Sequence, residues 1–148
     1  GGNKHAIEFP RAKVGDNPYD FSFSGLKSAV LNYINHAKMT GEEIVVPDLA
    51  ASFQNAVVEV LVTRTVLAAK EYGYDKVAIA GGVASNTALR EGMKEACQKA
   101  GLKFYYPSPV YCTDNAAMIG VAAYYEYIGG SRAGWDLNAV PNLKLGER

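Results

Sequence analysis

Two short apolar runs flanking one helical stretch limit what this chain can fold into more than any other feature. "KVAIAGG", Lys76 to Gly82, reads as a strand closed by two glycines, and a run without polar alternation is the signature of a strand buried on both faces. A helix follows from about Ala84 to Ala100, then Gly101, then "LKFYYP" as a second strand. Strand–helix–strand in one sheet implies a right-handed parallel crossover. A parallel sheet of two strands is too small to stand alone, because such sheets are covered on both faces and normally hold more strands. The remaining strands are therefore expected in sequence outside this chain. Exposed strand edges and apolar surface are expected with them, and hence self-association.

The helices before this unit are written in period and punctuation. In "DFSFSGLKSAVLNYINHAKMTG", Ser22 or Ser24 is placed to cap a helix. Leu26, Val30, Ile34 and Ala37 recur at helical spacing, and Gly41 ends the run as helix C-termini favour. "PDLAASFQNAVVEVLVTRTVLAAKEYGYD" is the strongest helix. Pro47 suits its first position, Asp48 in the first turn complements the dipole, and Leu49, Phe53, Val57, Val60, Leu61 and Leu67 form the expected buried face. Gly73 stops it. A last, buried helix precedes Gly129 and Gly130. The order implies an α/β class divided into a connector over 1–20, a lobe over 21–130 and an irregular tail over 131–148.

Composition removes several function classes. Lys plus Arg number 15, as do Asp plus Glu, so charge alone marks no nucleic-acid footprint on this chain by itself, while a surface shared with another chain stays open. Two cysteines, Cys97 and Cys112, with no CxxC, support neither a disulfide framework nor a zinc finger and suit a reducing, cytoplasmic setting. No run is apolar and long enough to span a bilayer, and no signal peptide opens the chain.

Three stretches are candidates for chemistry. In "GGVASNTALR", Gly81 and Gly82 sit where a strand gives way to a helix, and glycine there lets a ligand approach the backbone. Free N–H groups at the helix start favour an anion or a ribose hydroxyl. Asn86 offers a donor and an acceptor, and open α/β sheets bind ligands at the carboxyl ends of their strands. The alternative is a tight turn with Ser85 or Asn86 as helix cap. This is neither a P-loop nor GxGxxG. In "YCTDNAAMIG", Thr113 or Asp114 is either an N-cap or, for Asp114, one ligand of a metal held mainly from outside the chain. The only histidines, His5 and His36, form no HxxxH pair. In "DFSFSGL", two serines among aromatics either hold a loop against a pocket wall or form a capping turn with Phe21 and Phe23 in the core. Neither cysteine is assigned a nucleophilic role, Cys97 reading as a half-buried helix residue and Cys112 as a loop residue.

"DFSFSGLKSAV", "DLAASFQ", "GGVASNTALR" and "CTDNAAMIG", in this order and spacing, closely resemble the carboxyl-terminal half of the TsaD family, also called Gcp and once named O-sialoglycoprotein endopeptidase. "DLNAVPNLKL" resembles the tail of its bacterial branch. The resemblance covers the chain from about Asp20. It implies a two-lobed actin/Hsp70/sugar-kinase-like (ASKHA) fold with a nucleotide site in the cleft. It implies transfer of a threonylcarbamoyl group from threonylcarbamoyl-adenylate to N6 of the adenosine beside the anticodon of tRNA. It also implies TsaB-like and TsaE-like partner proteins, and a metal, usually iron as Fe²⁺, held by an HxxxH pair of the amino-terminal half and the Asp of the CTDN motif. Carried over, Asp114 matches the metal-ligand Asp, Asn86 the substrate-contacting Asn, and Gly81 and Gly82 the cleft-lining glycines. The amino-terminal half and its histidines have no counterpart here, and a lone carboxylate does not hold iron tightly. The isolated chain is therefore expected to be inactive.

Other classes predict other things. A metalloprotease needs a metal-bound water and a Glu base, as in HExxH, which is absent from the sequence. A sugar-kinase-like or nucleotide-binding lobe would need an upstream phosphate-binding hairpin and a catalytic Asp. A non-catalytic interaction module would leave Asn86 and Asp114 free to change.

Overall fold

The computed structural model describes residues 1–11 and 16–144, and these form two compact units, Gly1–Thr113 and the segment from Asp114 onward. In the first, helix α1 spans Ser24–Thr40 and α2 spans Val46–Glu71. Strand β1, Lys76–Ala78, leads through a 3₁₀ turn at Gly82–Ser85 into α3, Thr87–Ala100, and then β2, Lys103–Tyr105, and a second 3₁₀ turn at Pro109–Tyr111. The second unit contains α4, Ala116–Ile128. The strands pair in parallel with Lys76 opposite Lys103, Val77 opposite Phe104 and Ala78 opposite Tyr105. The ladder continues through Ile79 N–H donating to the Tyr105 carbonyl at 3.1 Å. The strand–helix–strand unit is thus present, and among the described residues its sheet has two strands.

α2 is the central element of the first unit, with an apolar cluster on each side. One cluster gathers Ala69, Val77, Leu89, Met93 and Cys97 between α2, β1 and α3. The other gathers Phe9, Leu26 and Ala56 between the opening segment, α1 and α2. The opening segment is fastened to α2 by hydrogen bonds. Asn3 N–H donates to Asp48 Oδ1 at 2.7 Å, and Ile7 N–H to Ser52 Oγ at 3.1 Å. Ser52 in turn donates to the Asn3 carbonyl at 3.2 Å, which satisfies a buried hydroxyl that would otherwise destabilise the fold.

Several expectations need correction. The residues of α2 that reach full burial are Ser52, Ala56, Val60 and Ala69, whereas Phe53 is 42% exposed and Leu67 37%. α2 packs on two sides, and small side chains let neighbouring backbones come close, so the bulky residues are displaced to the flanks. Pro47 is the second helical residue, after Val46. α1 starts at Ser24 behind Phe23 without a side-chain cap from Ser22 or Ser24; Phe23 is half-buried and Phe21 is exposed. β1 buries only Val77, because α2 and α3 cover one face and Lys76 and Ala78 point the other way. The helix after β1 begins at Thr87 rather than Ala84, since a 3₁₀ turn takes up Gly82–Ser85.

α4 is apolar yet buries none of its residues; Ile119 is 72% exposed and Tyr125 65%. Apolar composition sets what a helix can bury, while burial requires a packed partner face. Its N-cap is Asn115, whose Oδ1 accepts from Met118 N–H at 3.1 Å, so neither Thr113 nor Asp114 has the capping role. No described helix is long and apolar enough to cross a membrane.

Candidate functional site

The turn after β1 is built around a backbone conformation only glycine tolerates. Gly81 has φ 84° and ψ 172°, a region closed to residues with a Cβ. It turns the chain out of the sheet so that its carbonyl accepts from Ala84 N–H at 3.0 Å, and the Val83 carbonyl accepts from Asn86 N–H at 3.0 Å. Gly82 differs: a Cβ there would meet only Thr113 Cγ2 at 3.9 Å, so its hydrogen keeps open space rather than permitting a strained turn. Ser85 donates to the Gly82 carbonyl at 2.5 Å and is not the cap.

Asn86 is the cap of α3. Its Oδ1 accepts from Leu89 N–H at 2.9 Å, and its Nδ2 donates to Gln54 Oε1 on α2 at 2.9 Å. The capping bond fixes which end of the amide is oxygen. A primary amide carries two N–H donors and two lone pairs, so one of each is left for a ligand. Capping and ligand contact, the two alternatives raised by the sequence, are therefore compatible in one half-buried side chain.

Two mainly apolar hollows adjoin this turn. One, of about 270 Å³, lies between α2 and the start of α3 and includes Phe53, Gln54, Val83 and Asn86. The other, of about 290 Å³, lies at the carboxyl end of β1 and includes Phe21, Thr65, Ile79 and Val83. Both sit where parallel strands give out into a helix N-terminus, the position at which open α/β sheets take ligands.

A residue that sequence reasoning passed over joins this turn to the one after β2. Arg90 donates through Nε to the Ala84 carbonyl, and through Nη2 to the Pro107 carbonyl at 3.0 Å and to Cys112 Sγ at 3.1 Å. Its guanidinium lies over the Tyr106 ring, 4.7 Å from the centroid. The one available signal was its spacing, four residues after Asn86 and so on the same helix face. Cys112 lies in a loop, as expected, and is 1% exposed, whereas Cys97, expected half-buried, is fully buried. Burial raises the Cys97 thiol above its ordinary pKa, which suits a packing residue and not a nucleophile.

A family model described as TsaD, tRNA N6-adenosine threonylcarbamoyltransferase, matches residues 1–121. The chain is 58% identical over 147 residues to a protein named tRNA N6-adenosine threonylcarbamoyltransferase from Clostridium botulinum, covering 99% of this chain and 43% of that relative. The chain belongs to the TsaD family. Relatives of the same name from Clostridium beijerinckii and Clostridioides difficile are 58% and 57% identical, with the same coverage. The chain thus spans less than half the length of the curated TsaD relatives it matches, and its α/β architecture is that of part of an ASKHA-type lobe.

Of the positions the TsaD motifs single out, Gly81, Gly82 and Asn86 share one turn in the first unit. Asp114 is the first residue of the second unit, exposed, and its carboxylate has no hydrogen-bond or ion-pair partner among the described residues. A free, exposed carboxylate is suited to one position of a metal's coordination shell. Among the described residues no group of three His, Cys, Asp or Glu is placed to hold a metal.

Proposed function

We propose that this chain is one wall of the active site of a tRNA N6-adenosine threonylcarbamoyltransferase. The observation that carries the reading is 58% identity, over 99% of the chain, to proteins of that name. The position of the Gly81–Asn86 turn at the carboxyl end of β1 supports it. In this reading the threonylcarbamoyl-adenylate lies against the Gly81–Gly82 backbone, where no side chain intervenes. The uncommitted N–H and lone pair of Asn86 meet its polar edge. In the transfer, N6 of the tRNA adenosine bonds to the carbamoyl carbon as that carbon's bond to the phosphate oxygen breaks, so the threonylcarbamoyl group passes to N6, AMP leaves and one N6 proton is released to solvent.

Asp114 supplies one oxygen ligand to a divalent ion, Fe²⁺ in the family's pattern, whose other ligands come from outside this chain. Such an ion, when bound, polarises an acyl carbonyl as a Lewis acid. No general base is assigned. The chain alone is inactive in this account, since one carboxylate cannot complete a transition-metal site. TsaB-like and TsaE-like proteins, tRNA and the adenylate are the partners, in the cytoplasm. The exposed apolar side chains of α4 favour association with a partner protein or a second copy.

The test is labelled-threonine incorporation into tRNA by the intact protein with its partner proteins, together with metal analysis of the same preparation. Asp114→Ala is expected to lose bound metal and modification while keeping the parent's circular dichroism and melting temperature. Full modification by that variant would remove Asp114 from the site.

A further inference from the structure

We propose that Arg90 is a positioning residue that holds the Asn86 turn in register with the loop after β2. This rests on the functional reading above, in which Asn86 meets the substrate. The ladder between β1 and β2 is three residue pairs long, and so short a two-stranded sheet constrains poorly the loops that leave it. Those loops are tied instead by one side chain. The Arg90 fork reaches the Ala84 carbonyl, two residues before Asn86, and on the other side the Pro107 carbonyl and Cys112 Sγ, 17 and 22 residues away. Stacking on Tyr106, which follows β2 directly, fixes the plane of the fork.

The partners of Arg90 are two carbonyls, a thiol and a ring, and among the described residues it has no acidic partner. A half-buried guanidinium without a carboxylate is not the cheapest way to stabilise a fold. Its planar set of donors bridges several acceptors at fixed angles, which neither lysine nor an apolar residue of similar size reproduces. The clamp also takes in Cys112, two positions before Asp114 in the chain.

The experiment uses the intact protein with Arg90→Lys and Arg90→Gln, and Asn86→Ala as the reference for the site. Hydrogen exchange reads the clamp without reference to activity. The amides of Ala84, Asn86, Leu89, Tyr111 and Cys112 should exchange roughly tenfold faster or more in both Arg90 variants, the factor expected from losing charge-assisted hydrogen bonds. Amides in the middle of α2 should be unchanged. Threonine transfer to tRNA should fall on the order of tenfold to a hundredfold in kcat/KM for the adenylate, with the loss in kcat as well as KM, as misplaced contact groups produce. The melting temperature should move little in Arg90→Lys. Unchanged exchange in both turns overturns the clamp. Faster exchange with unchanged kinetics overturns the positioning role. If Asn86→Ala also leaves kinetics unchanged, it is the functional reading that fails, whereas a loss confined to Asn86→Ala defeats only the role of Arg90.

Discussion

Replacing Asn86 with alanine and with aspartate separates its two duties. Alanine removes the acceptor for Leu89 N–H and the donor to Gln54. Loss of a helix cap costs about 1 kcal/mol, and the bond to Gln54 adds about 0.5 kcal/mol. The sum of about 1.5 kcal/mol corresponds to a fall in Tm of about 5 °C for a chain of this size. Aspartate keeps the capping oxygen and places a negative charge at the start of α3, which the helix dipole favours by about 0.3–1 kcal/mol. Gln54 can turn its amide to donate to the new carboxylate. Asn86→Asp should therefore unfold within about 0.5 kcal/mol of the parent in urea. It has nevertheless lost both N–H donors. If a ligand uses the uncommitted one, tRNA modification by the intact protein should fall roughly 10- to 100-fold in both variants, the factor for a polar contact left unmade. Urea unfolding of the chain and threonine incorporation by the intact protein measure the two effects independently. An aspartate variant as unstable as the alanine one would refute the capping argument. Parental modification rates in both would leave Asn86 as a cap and nothing more.

Three further outcomes follow from the same geometry. Gly81→Ala should lose about 1–3 kcal/mol in urea unfolding because φ 84° with ψ 172° excludes a Cβ, while Gly82→Ala, whose Cβ meets only a methyl at 3.9 Å, should unfold almost as the parent does. Met93→Ala, at 1% exposure in the cluster between α2, β1 and α3, should cost about 2–5 kcal/mol by the same assay. Because burial raises the Cys97 pKa above its ordinary value, the unfolded state loses its proton first. Urea stability should therefore hold below about pH 9 and fall as pH rises beyond it, with Cys97→Ala or Cys97→Ser flattening that alkaline fall.

How much could be read in advance depended on whether the deciding interaction was local. Strand–helix–strand order, the ends of α1 and α3 at Gly41 and Gly101, and the turn at Gly81 are written in punctuation that acts within a few residues, and all appear in the structure. The cap of α4 was misplaced by one or two positions because Thr113, Asp114 and Asn115 are all competent caps, and only backbone geometry chooses Asn115. On the face expected for α2, Val60 is buried and Leu49, Val57 and Leu61 pack against the two clusters. Hydropathy also favours Phe53 and Leu67, which packing on two sides leaves exposed in favour of Ser52, Ala56 and Ala69. Arg90 was illegible since two of its partners are backbone carbonyls, which no side-chain pattern reports. For the candidate site, the motif located Gly81, Gly82 and Asn86 in one turn, but the sharing of Asn86 between Leu89 and Gln54 depends on α2 lying alongside.

The most direct measurement is a structure of the intact protein bound to a non-hydrolysable threonylcarbamoyl-adenylate analogue and a divalent metal. The account predicts the analogue against the Gly81–Gly82 backbone, a hydrogen bond from Asn86 Nδ2, and an Asp114 carboxylate oxygen on the metal. A ligand bound away from the carboxyl end of β1, with Asn86 engaged only by Leu89 and Gln54, would contradict it.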